Sequence, residues 1–363
     1  MDSPADLRLD TVNAASGRFD EIIDVRSPAE FAEDHLPGAI NLPVLSDAER
    51  AEVGTVYKQV SPFDARKMGA ALVAANAARH IAGPLAGHDG SWQPLVYCWR
   101  GGQRSGALAT ILAQVGWRVS RVEGGYKSWR SLVVERLQER GFPAPVIVLD
   151  GNTGSAKTAI LHRLAARGHQ MIDLEGLAHH RGSLFGAMGQ QPSQKMFEGR
   201  LAAQLEALDP ARPVLVEAES SRIGELSLPK SVWAGLTAAP RISLRVPLEA
   251  RAAFSARDYR DVTEQPARLH QILDRLRPVH SAERIAQWTE LAQTRQWREL
   301  AETLIQHHYD PRYEKHRARY AERVRAEVML DSLDDLDGAA SRVEATLAPL
   351  AETLGRQRIN RPA

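Results

Sequence analysis

Cysteine is almost absent from this chain, with one residue, Cys98, in 363. A lone thiol cannot close an internal disulfide, and without a Cys-x-x-Cys pair no cysteine-based metal site can be assembled. The chain therefore reads as cytoplasmic and reduced. Long apolar runs are also lacking, and none approaches the roughly 18 residues of a membrane span. The polar, acidic opening MDSPADLRLD does not look like a signal peptide. Nor is there an excess of charge of one sign, since 46 Lys and Arg against 45 Asp and Glu leave a formal net charge of +1. Any nucleic-acid surface must then be a local patch. No internal repeat or low-complexity tail is visible. What remains is ordinary globular composition, 44% hydrophobic and 25% charged, with length enough for two or three domains.

Apolar patterning divides the chain. "DEIIDVRS" (20–27) and "PLVYC" (94–98) are short buried-strand patterns, and the alanine-rich stretch 65–82 between them reads as helix. Leu108, Ile111, Leu112 and Val115 fall at i, i+3, i+4 and i+7, an amphipathic helix that Gly116 can end. "WRVSRVEGG" adds a strand and a tight turn. "GFPAP" (141–145) is a hinge, after which "VIVLD", "QMIDLE", "PVLVEAE" and "RISLRVP" are further strand patterns. Strands alternating with helices predict mostly parallel α/β sheets. From about residue 265 the pattern is helical. We expect domains at 1–140, 145–265 and 266–363.

The cysteine stands in a loop, Cys98-Trp99-Arg100-Gly101-Gly102-Gln103-Arg104-Ser105, that leaves a strand and enters a helix. Amides curled inward at the glycines make an anion cradle, and the helix N-terminus adds positive potential, as would Arg100 and Arg104. Such a field favours a thiolate nucleophile over an inert buried thiol. A second loop, Gly151-Asn152-Thr153-Gly154-Ser155-Ala156-Lys157-Thr158, nearly fits G-x-x-x-x-G-K-[ST], with Ala156 where glycine is expected. Its amides would hold a diphosphate, Lys157 would reach a terminal phosphate, and Thr158 is a possible ligand for Mg²⁺. No other metal site is expected.

Other candidates are less specific. Glu217 and Glu219 end one strand pattern, and Asp173 and Glu175 end another; each reads equally as a metal or base carboxylate or as a solvated strand end. The glycine-rich insert 176–200 follows a strand end, the side where open α/β sheets bind ligands. Arg181, Gln194 and Lys195 within it are candidate substrate contacts, whereas adjacent His179 and His180 are poorly spaced for a metal. Residues 307–325 interleave Tyr309, Tyr313 and Tyr320 with Arg312, Lys315, Arg317 and Arg319. That mixture suits an RNA surface or a solvated helix with interior tyrosines.

Three stretches, "IIDVRSPAEFAEDHLPGAINLP", "VYCWRGGQRS" and "VEGGYKSWR", resemble a rhodanese domain, whose loop cysteine carries transferred sulfur as a persulfide. A related phosphatase shares the sheet and a Cys-five-residues-Arg loop, but usually has His before the cysteine, where this chain has Tyr97. With the phosphate loop and the segments "DLEGLAHHRGSLFG", "QPSQKMFE" and "VEAESSRIG", nearly the whole chain resembles the tRNA 2-selenouridine synthase family. The resemblance implies a rhodanese-like α/β domain, a P-loop NTPase-like parallel α/β domain and a helical C-terminal segment. It implies a tRNA substrate with wobble 2-thiouridine, S-geranylated by geranyl diphosphate and then converted to 2-selenouridine with selenophosphate. Cys98 is the catalytic residue it assigns. A rhodanese-type sulfurtransferase fused to a P-loop kinase, or a non-catalytic RNA-binding adaptor, are the other readings.

Overall fold

The computed structural model describes residues 3–359, which form two compact units. The first takes the chain to Arg140 together with Pro192–Ala207. Its sheet contains β1 (Ala5–Leu7), β2 (Glu21–Asp24), β3 (Ala39–Asn41), β4 (Pro94–Tyr97) and β5 (Ser120–Val122), all parallel in the order β1-β5-β4-β2-β3. All four residues of β4 are buried, which is why it reads as a continuous apolar run: helices cover both faces of a parallel sheet. The Asp24 and Arg26 side chains of the "DVR" stretch form a buried ion pair at 2.6 Å, and Arg26 also donates to the Asp34 carbonyl.

The alanine-rich helix runs Pro62–Ala82, capped by the Ser61 hydroxyl and with proline in its first turn. The helix Gln103–Val115 buries Leu108 and Leu112 and ends at Gly116, whose φ of +114° suits glycine. The insert 176–200 is not loop throughout, since Gln194 begins the helix Gln194–Glu206, packed within the first unit. That helix buries Phe197, Leu201 and Leu205, and Gly199 leaves room for the Trp129 ring: a Cβ there would lie 2.8 Å from it.

The second unit has a parallel sheet of β6 (Val146–Asp150), β7 (Gln170–Ile172), β8 (Val214–Glu217), β11 (Arg241–Arg245) and β12 (Val324–Met329), in the order β12-β11-β6-β8-β7. A two-stranded hairpin, β9 (Arg222–Ile223) and β10 (Leu226–Ser227), interrupts the series. The region after 265, read as helical, also supplies β12, and its last helix, Leu336–Ile359, packs Ala340, Val343 and Leu347 into the sheet's core. A second cluster, including Leu269, Leu273, Trp288, Leu300 and Leu304, is the core of the helices between residues 262 and 309. No helix among the described residues is long and apolar enough to cross a membrane.

Candidate active site

Cys98 follows the central strand β4 and is buried. The Ser105 hydroxyl donates toward its sulfur at 3.2 Å. The next loop holds this one from below: Tyr126 N–H donates to the Cys98 carbonyl at 2.8 Å and Lys127 N–H to that of Trp99 at 3.0 Å. This approach explains the "EGG" turn. A Cβ on Gly125 would lie 2.3 Å from the Cys98 carbonyl and 2.5 Å from Gly101 N, and Gly101, Gly124 and Gly125 all have positive φ. Gly102 caps the helix that Gln103 begins, so the cysteine loop runs into a helix N-terminus.

The loop's arginines divide. Arg100 is exposed, whereas Arg104 binds the Glu30 carboxylate at 2.8 Å, so its charge is already matched. Burial raises the Glu30 pKa, but the Arg104 and Ser27 hydrogen bonds outweigh it and hold the carboxyl below its ordinary range. Trp99 is half-buried, its ring 5.2 Å from that of Tyr126. On its outer side the loop opens on a groove of about 1090 Å³ that is also lined by Arg50, Tyr57, Lys58 and Arg66.

The phosphate loop joins β6 to the helix Lys157–Ala166. Ala156 adopts the left-handed conformation at φ +57°, the backbone that a glycine would take there. That conformation costs an L-residue about 1 kcal/mol, and the burial of its methyl in the core offsets much of this. Lys157 Nζ donates to the Gly151 carbonyl at 3.1 Å, and Ser155 Oγ to that of Asn152 at 2.7 Å. Gly154 has to be glycine, since a Cβ would meet Ser255 Oγ at 2.6 Å. Beside the loop lies a cavity of about 320 Å³, lined by Lys157, Thr158, Arg181, Glu219, Tyr259 and Tyr313 among others. Arg181, a candidate from the sequence, is thus in the phosphate cavity, held by Asp261 at 3.0 Å and stacked over Tyr259.

The carboxylates converge here: Glu217 ends β8, whereas Asp173 and Glu175 do not end a strand. β7 stops at Ile172; Asp173 instead caps the helix Leu174–Ala178, accepting from Gly176 N–H, and Glu175 sits in its first turn. Glu175 accepts from Thr158 Oγ1 at 2.8 Å, and its own N–H donates to Glu217 Oε1 at 2.9 Å. Glu219 is buried against Glu175, and desolvation followed by that carboxylate raises its pKa well above the usual range. Burial, then the charges of Glu175 and Asp173, pushes Glu217 up to about 8. His179 Nδ1 meets the Gln190 carbonyl and His180 Nδ1 accepts from Gly182 N–H. Among the described residues, no group of three or more His, Cys, Asp and Glu has the geometry of a metal site.

The Glu217 shift has a testable consequence. The folded carboxyl stays protonated to about pH 8 while the unfolded one ionises near 4.5. The unfolded state therefore binds fewer protons in that window, and stability falls as pH rises through it by up to about 1.4 kcal/mol per unit. Glu217→Gln lacks this slope. Denaturant titrations of both proteins should show the variant gaining on wild type from pH 5 to pH 8; parallel profiles would remove the assigned protonation.

The C-terminal cations do not act as one surface. Arg317 turns inward: Nε lies 3.2 Å from Asp150 Oδ1, Nη1 donates to Asn152 Oδ1 at 2.5 Å, and Nη2 to Ser243 Oγ at 2.6 Å. Asp310 takes a two-pronged bond from Arg251 and one from Asn152. Together these residues clamp the phosphate loop, a role with no sequence motif. Tyr320 covers the buried Arg241 guanidinium at 4.0 Å, while Arg312, Lys315 and Arg319 are exposed. Gln194 donates to Glu198 and Lys195 pairs with Glu33 at 2.6 Å, both within the first unit. Arg317→Ala should cost about 1–2 kcal/mol, because Asp150 loses one of its two arginine partners and keeps Arg241 at 3.2 Å while Asn152 and Ser243 lose theirs, and Arg319→Ala less than about 0.5 kcal/mol, in urea unfolding followed by circular dichroism. Equal effects would refute the clamp.

Comparisons with known proteins agree with this division. Residues 144–285 match the family described as the tRNA 2-selenouridine synthase AAA domain, and residues 8–132 match the rhodanese-like domain. A tRNA 2-selenouridine synthase of Chromohalobacter salexigens is 39% identical over 251 residues, covering 69% of this chain and 68% of that protein. Its counterpart in Shewanella loihica is 39% identical over 234 residues, 63% of this chain and 62% of the relative. In a Sulfurovum species the identity is 38% over 276 residues, 74% and 71% of the two chains. The matches thus span about two thirds of the relatives' length, and at these identities the chain belongs to the tRNA 2-selenouridine synthase family.

Proposed function

We propose that this protein converts wobble 2-thiouridine of tRNA to 2-selenouridine, through S-geranylation by geranyl diphosphate and then selenophosphate-dependent exchange. The observation that carries the reading is the pairing, in one member of this family, of a cysteine before a helix N-terminus, hydrogen-bonded by Ser105, with a phosphate loop whose lysine is in place. In the first step the C1–O bond of the donor breaks, a C–S bond forms, and the thiouridine N3 proton is lost. Lys157 stabilises charge on the departing diphosphate. Glu175, beside Thr158, is the group suited to take the proton. In the second step selenium bonds to C2, the geranyl thiol departs, and water releases the phosphate. Alkylation matters because an unmodified thiocarbonyl sulfur is a poor leaving group. Selenophosphate, a small anion, suits the amides around Cys98.

The hard oxygens of Thr158 and Glu175, with those of the diphosphate, would suit Mg²⁺, which would add positive charge at the leaving group. Lys315 and Arg319 are outward cations suited to tRNA phosphates, with Arg312, exposed but held to His308 Nε2 at 3.0 Å, beside them. The test is mass spectrometry of wobble nucleosides from 2-thiouridine tRNA incubated with the protein. S-geranyl product is expected with geranyl diphosphate alone, and 2-selenouridine only once selenophosphate is added. Vigorous ATP turnover without tRNA, and neither product, would favour a sulfurtransferase fused to a kinase.

A further inference from the structure

The phosphate cavity has a neighbour of opposite chemistry. An apolar cavity of about 60 Å³ lies among the helices of the second unit, walled by Phe185, Val262, Leu300, Leu304 and Ile305. It shares Thr153, Ser255 and Tyr259 with the phosphate cavity. At its other side it shares Ala256, Thr263, Leu269 and Trp297 with an open cavity of about 1180 Å³. Through these shared residues the apolar cavity adjoins both, in the order phosphate cavity, apolar throat and open mouth. Ser255 Oγ, buried at the first junction, has no hydrogen-bond partner.

We propose that this throat holds the hydrocarbon chain of an allylic diphosphate whose anionic end lies on the phosphate loop. The assignment rests on the reading of that loop as a prenyl-diphosphate site. The throat has room for roughly two water molecules, which is too little for a nucleoside base but enough for a narrow chain that continues into the open mouth. Its carbon-lined walls offer a purine edge almost no partners, whereas each methylene buried against them multiplies affinity roughly fourfold. The Ser255 hydroxyl, at the junction, is placed to donate to the oxygen joining diphosphate and chain. A nucleoside triphosphate would leave the throat unused.

The test is calorimetric titration of the full-length protein with geranyl diphosphate and with inorganic diphosphate. Wild type should bind the geranyl ester at least a hundredfold tighter. Ala301→Leu and, independently, Ala256→Leu narrow the throat and should each remove at least tenfold of that preference. Their affinity for inorganic diphosphate should stay as in wild type, which also reports a folded loop. Variants that bind both ligands as wild type does would overturn the throat while leaving the donor reading standing. A wild type with no preference for the geranyl ester would overturn the donor reading and the throat with it.

Discussion

Lys157→Ala is expected to lose geranyl transfer to tRNA by a hundredfold or more, comparable to removing one preorganised donor from a developing anion. The lysine bridges the phosphate loop to its own Gly151 carbonyl at 3.1 Å, so the ammonium is held before a ligand arrives. Its removal leaves the loop clamped from outside by Arg317 and Asp310, through Asn152. The variant should therefore fold and still bind tRNA. Given tRNA already S-geranylated, together with selenophosphate, it should recover selenium incorporation measured by nucleoside mass spectrometry. A folded, tRNA-binding variant that fails on the pre-alkylated substrate would mean that Lys157 serves both steps.

Cys98→Ser should have the opposite profile. Serine keeps the size, and its hydroxyl can still accept from Ser105, so the buried loop is expected to survive. What is lost is a polarizable sulfur nucleophile. Selenium incorporation should fall to background while geranylation from geranyl diphosphate continues at near wild-type rate, as expected if the proposed alkylation uses only the second unit's loop. Equal loss of both activities would contradict the division of labour. The same assay with Arg100→Ala is informative about the cradle, since Arg104 is neutralised by Glu30 and backbone amides remain.

Much of this was legible in the one-dimensional string because the chemistry of each loop is local. A buried central strand must be an apolar run, and a cysteine or a phosphate loop at its end needs glycines where the backbone turns. Those constraints fall within ten consecutive residues, as in 97–106 and 150–158. β7 and the carboxylates were half legible: the strand pattern is real, but it stops when Asp173 caps a helix, and cap and strand end look alike in so short a stretch. β12 carries period-two alternation, with exposed Arg325, Glu327 and Met329 alternating with half-buried Val324 and Ala326 and buried Val328. It lay unseen because six residues inside a charged segment give little signal.

The tertiary structure alone decided partnerships between distant residues. Arg317 looked like a surface cation until the fold brought it to Asp150, Asn152 and Ser243, where a buried carboxylate requires a counter-charge. Glu217 and Glu175 become neighbours only when β8 pairs with β7, and their proximity, with loss of water, raises a carboxyl that composition treats as ordinary. The residue types and loop spacings determined which reactions the chain can support. Which charges are buried, matched or left to act depends on burial and through-space distance, and these are set by packing between segments far apart along the chain.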